Sequence, residues 1–259
     1  TFELTILIAL DYFATKKVDL LILEAGLGGR LDATTAHPNR PIVAFGAIGL
    51  DHCEYLGNRI EDIAEEKAHI ITRNSTVISG PQHPLVRKII EKHVYKKEAH
   101  IKWVNKISSD WDLGLRGTFQ QPNAAVAKGI LDTLKTMGWR IKSNHIKEGL
   151  KTAKWEGRLQ EAYWNKLPIL IDCAHNPDAA KALSQERRNW DYEKNGVNWI
   201  LGIQSHKEGD KMIEYLIKPN DHCWIAPVND QPSWNTNKLS RSIPTLRNKL
   251  IEVNDVEEA

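Results

Sequence analysis

The stretch of sequence that decides the fold is Val-Asp-Leu-Leu-Ile-Leu-Glu-Ala-Gly-Leu-Gly-Gly-Arg-Leu-Asp, residues 18–32. Its apolar run, 20–23, ends in the carboxylate Glu24, and this pattern predicts a strand over 18–24 that is buried on both faces of a parallel sheet. Ligands of such sheets bind at the carboxyl ends of the strands, where Glu24 would lie, and the glycines that follow let the backbone approach another group closely. The segment predicts either a cation and anion site or a solvent-facing carboxylate and an ordinary turn.

Beyond this stretch, predicted strands alternate with predicted helices. The patterns predict strands at 41–45, 76–79, 101–104, 168–172 and 198–201, and helices at 2–16, 60–72, 84–95, 143–153 and from 123 onwards. Such alternation is typical of an α/β fold with a parallel sheet. The pattern breaks at 155–158 and restarts with a helix that opens at Asn176 and Pro177, a favourable N-cap and first helical residue. We therefore predict two domains, 1–156 and 157–259.

The composition narrows the class of protein. A chain of 259 residues with 41% hydrophobic residues can build a core, and its net charge of +2 gives no electrostatic argument for nucleic acid or a membrane as partner. Its three cysteines are widely spaced and odd in number, which fits a reducing cytoplasm better than a disulfide framework. The sequence starts without Met and stops without a clear closing element, so we expect a fragment at both ends.

Two phosphate-binding motifs do not occur in the sequence. The glycines of 26–29 do not complete G-x-G-x-x-G because Leu31 stands at the third glycine position, and there is no G-x-x-x-x-G-K-[ST] loop. That loop would cradle the β- and γ-phosphates of ATP. The 259 residues by themselves are therefore not expected to catalyse a reaction that needs it.

A metal site is one interpretation of Glu24 and His52. His52 follows the second predicted strand, 41–45, much as Glu24 ends the first. If the two strands are neighbours in a parallel sheet, the side chains meet at one edge, and a carboxylate with a neutral imidazole can bind a divalent metal that keeps positions open for water and phosphate. The alternative is a surface histidine in a turn.

Lys67 stands out because of its position on the predicted helix 60–72. It falls among the apolar residues Ile60, Ile63, Ala64 and Ile71, at the centre of an amphipathic stripe. Burial there would disfavour the ammonium form and leave a neutral amine able to form a Schiff base or to take up carbon dioxide as a carbamate. The alternative is a lysine whose stem packs while its ammonium group reaches solvent.

Two helix starts carry further candidate residues. Asn123 stands at the start of its predicted helix, where the default role of Asn is a cap. Asp172 ends a predicted strand, and His175 and Asn176 follow at a helix entrance, which attracts anions. A catalytic Asp–His pair is conceivable, but no G-x-S-x-G nucleophile motif accompanies it, which argues against a hydrolase triad.

Six segments together resemble the signature of the folylpolyglutamate synthase/dihydrofolate synthase family, which belongs to the Mur-ligase-like amide ligases. In chain order they are 23–34, 48–52, Glu66-Lys67-Ala68, Gln120-x-x-Asn123-Ala124-Ala125, 157–160 and Asp172-x-Ala174-His175-Asn176-Pro177. The resemblance covers roughly residues 1–217 and implies a Mur-ligase-like α/β fold. It implies a partial parallel-sheet ATP-binding domain followed by a partial Rossmann-like glutamate-binding domain.

The resemblance implies a cytoplasmic, monomeric ligase that adds L-glutamate to dihydropteroate or reduced folates with ATP and magnesium. Glu24 and His52 would be magnesium ligands, and Lys67 would be the lysine that is carbamylated in the family. His175 would face the junction of phosphate and incoming glutamate. The remaining roles would be adenine contact by Asn123, nucleotide contact across the domain boundary by Arg158 and Asp172, and a pterin site lined by Leu31, Asp32 and Ala33.

The sequence departs from the family pattern at several points. Thr35 stands where the family usually has Asn, Phe119 where it usually has His, and His-Lys-Glu-Gly-Asp at 206–210 only approximates its Asp-Lys-Asp motif. These departures affect substrate detail more than the reaction. Two alternatives stay open: a Mur-type ligase acting on a nucleotide-peptide, and a non-catalytic remnant that binds only a nucleotide or a partner.

Overall fold

The structure is a computed structural model that describes residues 1–190 and 196–259. The described chain divides into two compact units, 1–154 and 155–259. The helices and strands of the first unit are α1 (Phe2–Lys16), β1 (Ile42–Phe45), α2 (Cys53–Leu56), α3 (Ile60–Ala68), β2 (Thr76–Ser79), α4 (Pro84–Lys96), β3 (His100–Trp103), α5 (Gln120–Thr136) and α6 (Ser143–Thr152). The functional identities predicted for the two domains are not decided by this division and stay predictions.

The first unit contains the predicted parallel sheet. Its strands run in the order β1-β2-β3, with Val43 opposite Val77 and Val77 opposite Ile101. Helices α3 and α4 cover one face through a buried apolar cluster: Val43, Phe45, Ala64, Ala68, Ile71, Val77, Val86, Ile90 and Val94. Side chains alternate along a strand, so Ile78 faces the other way, where Gly129 of α5 lies close enough that an added Cβ would be 2.8 Å from Ile78 Cγ2. The sheet is therefore covered by helices on both faces, as buried parallel strands require.

The predicted strand over 18–24 is wrong. Within the described chain, this segment forms no strand and the sheet ends at β1. Leu21 and Leu23 are half-buried, whereas Ile22 between them is 84% exposed. The burial alternates as it does in a strand with one covered face, but a strand also needs a hydrogen-bonded neighbour. The apolar run therefore indicated that one face of the segment is covered, but it could not indicate that a neighbouring strand is absent.

Helix α1 is confirmed, and it has no buried residue. Its apolar side chains Leu4, Leu7 and Ile8 are between 56% and 62% exposed. None of the helices that the structure describes has both the length and the apolar character needed to cross a bilayer.

The second unit begins with a hairpin and continues with a parallel sheet. Its elements are β4 (Gln160–Trp164), β5 (Leu167–Ile171), α7 (Pro177–Glu186), β6 (Asn198–Leu201), α8 (Gly209–Leu216), β7 (His222–Ile225), α9 (Thr236–Ser242) and β8 (Leu250–Glu252). Strands β6-β7-β8 form a parallel sheet, so α/β architecture with parallel sheets is confirmed in both units. The strand predicted at 168–172 exists as β5, but it pairs antiparallel with β4 and is exposed throughout, so its expected place in a parallel sheet is wrong. Asn165 and Lys166 both have positive φ, the geometry of a tight two-residue hairpin turn.

The second unit contains a buried ion pair between Arg187 and Asp221. Arg187 and Asp221 are 1% and 2% exposed, and the Arg187 Nη2 to Asp221 Oδ1 distance is 2.9 Å. Asp221 also accepts hydrogen bonds from the backbone N–H groups of Val197 and Lys218 and from Trp199 Nε1. Burial acts to raise the pKa of Asp221, but the hydrogen bonds outweigh it and lower the pKa to about 2.

Candidate functional site

A glycine loop packs directly on the last turns of α3. Gly28 and Gly29 are buried, and Gly28 has a φ of 65°, which glycine adopts without strain. A Cβ added to Gly29 would lie 2.5 Å from the carbonyl oxygen of Glu66 and 3.1 Å from Lys67 Cα. No side chain fits at Gly29 without movement, so these glycines allow a backbone-to-backbone contact between the loop and the helix.

The side chain of Asp32 forms hydrogen bonds with backbone groups of the same loop. Its Oδ2 accepts hydrogen bonds from the N–H groups of Gly26 (2.8 Å) and Leu27 (2.9 Å), and its Oδ1 accepts from the N–H of Thr34 (2.9 Å) and the Thr34 hydroxyl. Burial acts to raise the pKa of Asp32, but these hydrogen bonds outweigh it, and the pKa lies below its usual value. The carboxylate therefore fixes the loop conformation.

The loop presents other side chains outward. Leu31 is 87% exposed, Ala33 is half-buried, and Arg30 forms an ion pair with Glu66 of α3 at 2.8 Å. Leu31, Asp32 and Ala33 are the three residues predicted to line a pterin site, and Asp32 among them is only 6% exposed. Their contact with a substrate stays a prediction.

Arg40, which the sequence patterns did not single out, holds the segment after the loop. Its Nη1 donates hydrogen bonds to the carbonyls of Thr35 (3.0 Å) and His37 (2.7 Å), and its Nε donates to that of Ile70 (3.1 Å). One half-buried guanidinium thereby joins the loop to the chain that leaves α3. A basic residue that bonds only carbonyls has no sequence signature.

Gln82 is a second residue that the patterns missed, and it shapes the carboxyl end of β1. Its Nε2 donates a hydrogen bond to the carbonyl of Gly46 (2.6 Å), and its Oε1 accepts one from the N–H of Ile48 (3.0 Å). The segment that leaves β1 is thereby joined to the chain after β2. This segment leads to His52, which is half-buried, has a φ of 51° and is the N-cap residue of α2.

Glu24 and His52 are a partial fit to a magnesium site. Glu24 is exposed and ends no strand, so the strand-end argument for its convergence with His52 does not hold. The donor chemistry still fits: magnesium is usually held by one or two protein groups and keeps water and phosphate oxygens, although an imidazole is a less usual ligand than a carboxylate. Over residues 1–190 and 196–259, the group of three metal-ligating side chains lies elsewhere and includes neither residue. The shared ion stays a prediction.

Lys67 lies on the apolar face of α3, but it is less completely buried than its apolar neighbours there. The fully buried positions of α3 are Ile63, Ala64 and Ala68, whereas Lys67 is half-buried. Lys67 lies four residues after the fully buried Ile63, which places it on the same face of α3, and its carbamylation stays a prediction. The backbone of Lys67 forms part of the surface on which Gly29 packs.

Asn123 is not a helix cap. Helix α5 begins at Gln120, one turn earlier than predicted, so Asn123 is already helical. Its Nδ2 donates a hydrogen bond to Gln120 Oε1 (3.0 Å), and its Oδ1 would lie 3.9 Å from a Cβ added to Gly46. The default role of a cap is therefore excluded, and the exposed amide lies beside the carboxyl end of β1.

In the second unit, the segment 157–160 is a turn that presents Arg158. Gly157 has a φ of 68° and donates its N–H to Gln160 Oε1 (3.0 Å), and a Cβ there would lie 2.4 Å from Cys173 Sγ. Leu159 is buried, whereas Arg158 is exposed. Three residues of the segment build the turn, and the fourth extends outward.

Asp172 joins this turn to the end of β5. Its Oδ2 accepts the N–H of Leu159 (3.0 Å) and its Oδ1 that of Ala174 (2.9 Å), which brings Asp172 next to the residue that follows Arg158. Each oxygen keeps a second lone pair, so both can accept further hydrogen bonds. At the same end of β5, His175 is exposed and its Nδ1 bonds the carbonyl of Cys173 (3.0 Å).

The parallel sheets define an α/β protein, a class in which ligands bind at the carboxyl ends of the strands. Comparison with known proteins identifies its relatives. The family profile described as "Dihydrofolate synthetase, C-terminal domain" matches residues 156–234. The resemblance to the folylpolyglutamate synthase/dihydrofolate synthase family is thereby confirmed, since curated and solved relatives carry the same names.

The chain is 30% identical over 254 residues to the dihydrofolate synthetase of Saccharomyces cerevisiae, with 88% of this chain and 59% of that protein covered. It is 32% identical over 242 residues to the dihydrofolate synthase/folylpolyglutamate synthase of Escherichia coli, with 88% and 56% covered. The chain thus spans less than two thirds of the length of either relative.

Solved structures match the fold. The chain superposes on Mycobacterium tuberculosis folylpolyglutamate synthase complexed with ADP and AMPPCP with a TM-score of 0.88, at 24% identity, over 99% of this chain and 63% of the other. For Escherichia coli FolC in complex with DHPP and ADP, the TM-score is 0.79 at 26% identity, over 96% and 61%. The Mur-ligase-like fold is confirmed.

Proposed function

We propose that the chain carries substrate- and nucleotide-binding elements of a ligase that joins L-glutamate to dihydropteroate, to reduced folates or to both, using ATP and magnesium. The observation that carries the proposal is the glycine loop. The buried Gly29 packs against α3 and the buried Asp32 bonds backbone N–H groups within the loop, while Leu31 is exposed at the loop surface. Relatives that are named folate-pathway ligases support the proposed reaction class.

ATP is the proposed energy source, because two of the similar structures hold ADP or AMPPCP. Asn123 would contact the adenine, since its exposed amide offers both a donor and an acceptor. Arg158 would pair with phosphate, for which the guanidinium geometry is suited. Asp172 would accept hydrogen bonds from ribose hydroxyls with its remaining lone pairs.

The proposed reaction has two steps. A carboxylate oxygen of the acceptor attacks the γ-phosphorus of ATP, ADP leaves, and an acyl phosphate forms. The amine of glutamate then attacks the acyl carbon, inorganic phosphate leaves with the C–O electron pair, and the amine loses a proton as the amide forms. His175 would position phosphate and glutamate at this step. The protein contributes chiefly alignment and charge stabilisation.

Glu24 and His52 would hold magnesium, which when bound neutralises charge on the phosphates. Lys67 would act as a carbamate. Its neutral Nζ forms a bond to the carbon of CO2, one C=O electron pair moves to oxygen, and the nitrogen loses a proton to water. A cation thereby becomes an anion near the proposed metal ligands. Half-burial suits this role, since the amine must be reached by CO2.

The test is a ligase assay on the protein expressed from its full reading frame, with ATP, glutamate and dihydropteroate. ADP formation that requires both other substrates is expected. Lys67→Ala should abolish it, and Lys67→Arg should too, because arginine keeps its charge and does not take up CO2 in this way. Lys88→Ala, at an exposed position of α4, is the matched control. Near-normal turnover by Lys67→Arg would refute the carbamate, and turnover only with a nucleotide-peptide acceptor would refute the folate substrate.

A further inference from the structure

A cluster of three metal-ligating side chains lies where α3 packs on α4. Glu65 lies on α3, His69 is the C-cap residue of that helix one turn later, and His93 faces them from α4. One ligand atom from each residue lies within 4.8 Å of the other two. His93 is 5% exposed, and the other two residues are half-buried. The cluster is therefore sheltered on one side and open to solvent on the other.

A hydrogen bond to the backbone orients the His69 imidazole for metal binding. His69 Nδ1 lies 2.7 Å from the backbone carbonyl of Glu65, which can only accept, so in the neutral imidazole Nδ1 carries the proton and Nε2 has the lone pair. An imidazole whose other nitrogen donates to a carbonyl is the usual arrangement of a metal-bound histidine. The rings of His69 and His93 lie edge to face with centroids 4.8 Å apart.

The side chains of Glu65 and His93 contact each other directly. His93 Nε2 lies 2.8 Å from Glu65 Oε1. Zinc binds imidazole nitrogen and carboxylate oxygen at roughly 2.0–2.2 Å, so two tetrahedral ligands stand about 3.3 Å apart. On binding the ion, His93 Nε2 releases to solvent the proton that it donates to Glu65, and the two ligand atoms separate by about half an ångström. Lys92 Nζ lies 3.6 Å from Glu65 Oε2, and its half-exposed side chain is free to turn to solvent when a cation takes its place.

We propose that Glu65, His69 and His93 form a binding site for a divalent transition metal of the zinc class. Two imidazoles and one carboxylate match the ligand preference of zinc and leave a fourth position for water. The site joins α3 to α4, so the bound ion stabilises the helix on which the glycine loop packs. The proposal concerns binding by these three side chains and is independent of the ligase reaction.

The experiment is calorimetric titration of the metal-free chain with Zn²⁺, alongside Co²⁺ titration followed in the visible spectrum. One Zn²⁺ per chain is expected, with a rise in melting temperature, and Co²⁺ should give the d–d bands of a tetrahedral complex. His69→Ala and Glu65→Gln should each weaken binding at least tenfold. His100→Ala, an exposed histidine on β3, is the matched control and should bind as the unaltered chain does.

Circular dichroism of each variant separates lost binding from lost folding, and His69→Ala is the primary variant because His69 is only half-buried. Absence of stoichiometric Zn²⁺ binding by the unaltered chain would overturn the proposal. So would a folded His69→Ala chain that binds Zn²⁺ with unchanged affinity, or a Co²⁺ spectrum that only an octahedral, water-rich complex explains.

Discussion

Gly29→Ala tests whether the glycine loop depends on direct backbone contact with α3. The added Cβ would lie 2.5 Å from Glu66 O, 2.9 Å from Ile70 Cγ2 and 3.1 Å from Lys67 Cα. Two of these three atoms belong to the helix backbone, which cannot turn aside as a side chain does. The loop must therefore separate from α3 or the helix must move.

The expected destabilisation follows from two opposing terms. Overpacking by one methyl group costs about 1–3 kcal/mol, and loss of glycine freedom in the unfolded chain returns about 0.4–1 kcal/mol. We expect the free energy of unfolding to fall by about 1–2 kcal/mol. Gly149→Ala is the control: it lies inside α6 with nothing within 4 Å of the new Cβ, so it should stabilise the chain by about 0.5–1 kcal/mol.

Urea unfolding of both variants, followed by circular dichroism, measures the difference. The two substitutions add the same group, so their opposite signs would isolate the contact at the loop. If Gly29→Ala unfolds at the same urea concentration as the unaltered chain or above it, the close packing of the loop on α3 is refuted. In the ligase assay, the same variant should raise the KM for the pterin acceptor more than that for ATP, because the displaced loop carries Leu31.

Two further predictions concern the buried carboxylates. Asp32→Asn places an amide where the carboxylate accepts three backbone N–H groups, and the free energy of unfolding measured in urea should fall by about 1–3 kcal/mol. For Asp221, the pKa of about 2 lies below the unfolded value of 3.8, so its stabilisation is complete above about pH 4 and is lost as the pH falls towards 2. The difference corresponds to roughly 2 kcal/mol, and Asp221→Asn should remove this part of the acid dependence seen in thermal unfolding between pH 5 and 2. If Asp221→Asn leaves the acid dependence unchanged, other carboxylates cause it.

The sequence predicted the elements whose signal is local. Strands β1, β2 and β3 and helices α4 and α6 lie within a residue or two of the predicted bounds, because each is an apolar run or an amphipathic pattern between clear turn signals. The N-cap at Asn176 is confirmed in atomic detail, since its Oδ1 accepts the N–H of Ala179 at 2.8 Å. A cap lies within one helical turn, so its signal is contained in four residues.

Pairing of strands is not local, and two predictions failed for that reason: the strand at 18–24 and the parallel placement of the strand at 168–172. The run at 20–23 has the composition of a strand, but composition does not supply a hydrogen-bonded neighbour. The hairpin β4–β5 was missed for the opposite reason: its exposed faces carry little apolar contrast, and its signal is the turn at Asn165 and Lys166. The register of a hairpin is set by its turn more than by its strands.

The residues of the candidate site show the same contrast between local and non-local signals. A sequence motif contains residues of two kinds that the sequence does not distinguish. The structure shows which of them hold a turn in place and which extend from it into solvent. Gly29 and Asp32 hold one loop while Leu31 extends from it, and Gly157 holds another while Arg158 extends. A substitution of a holding residue should therefore change stability and substrate binding together, whereas a substitution of a displayed one should change binding alone. That distinction depends on which backbone groups need partners, and only the folded chain reveals it.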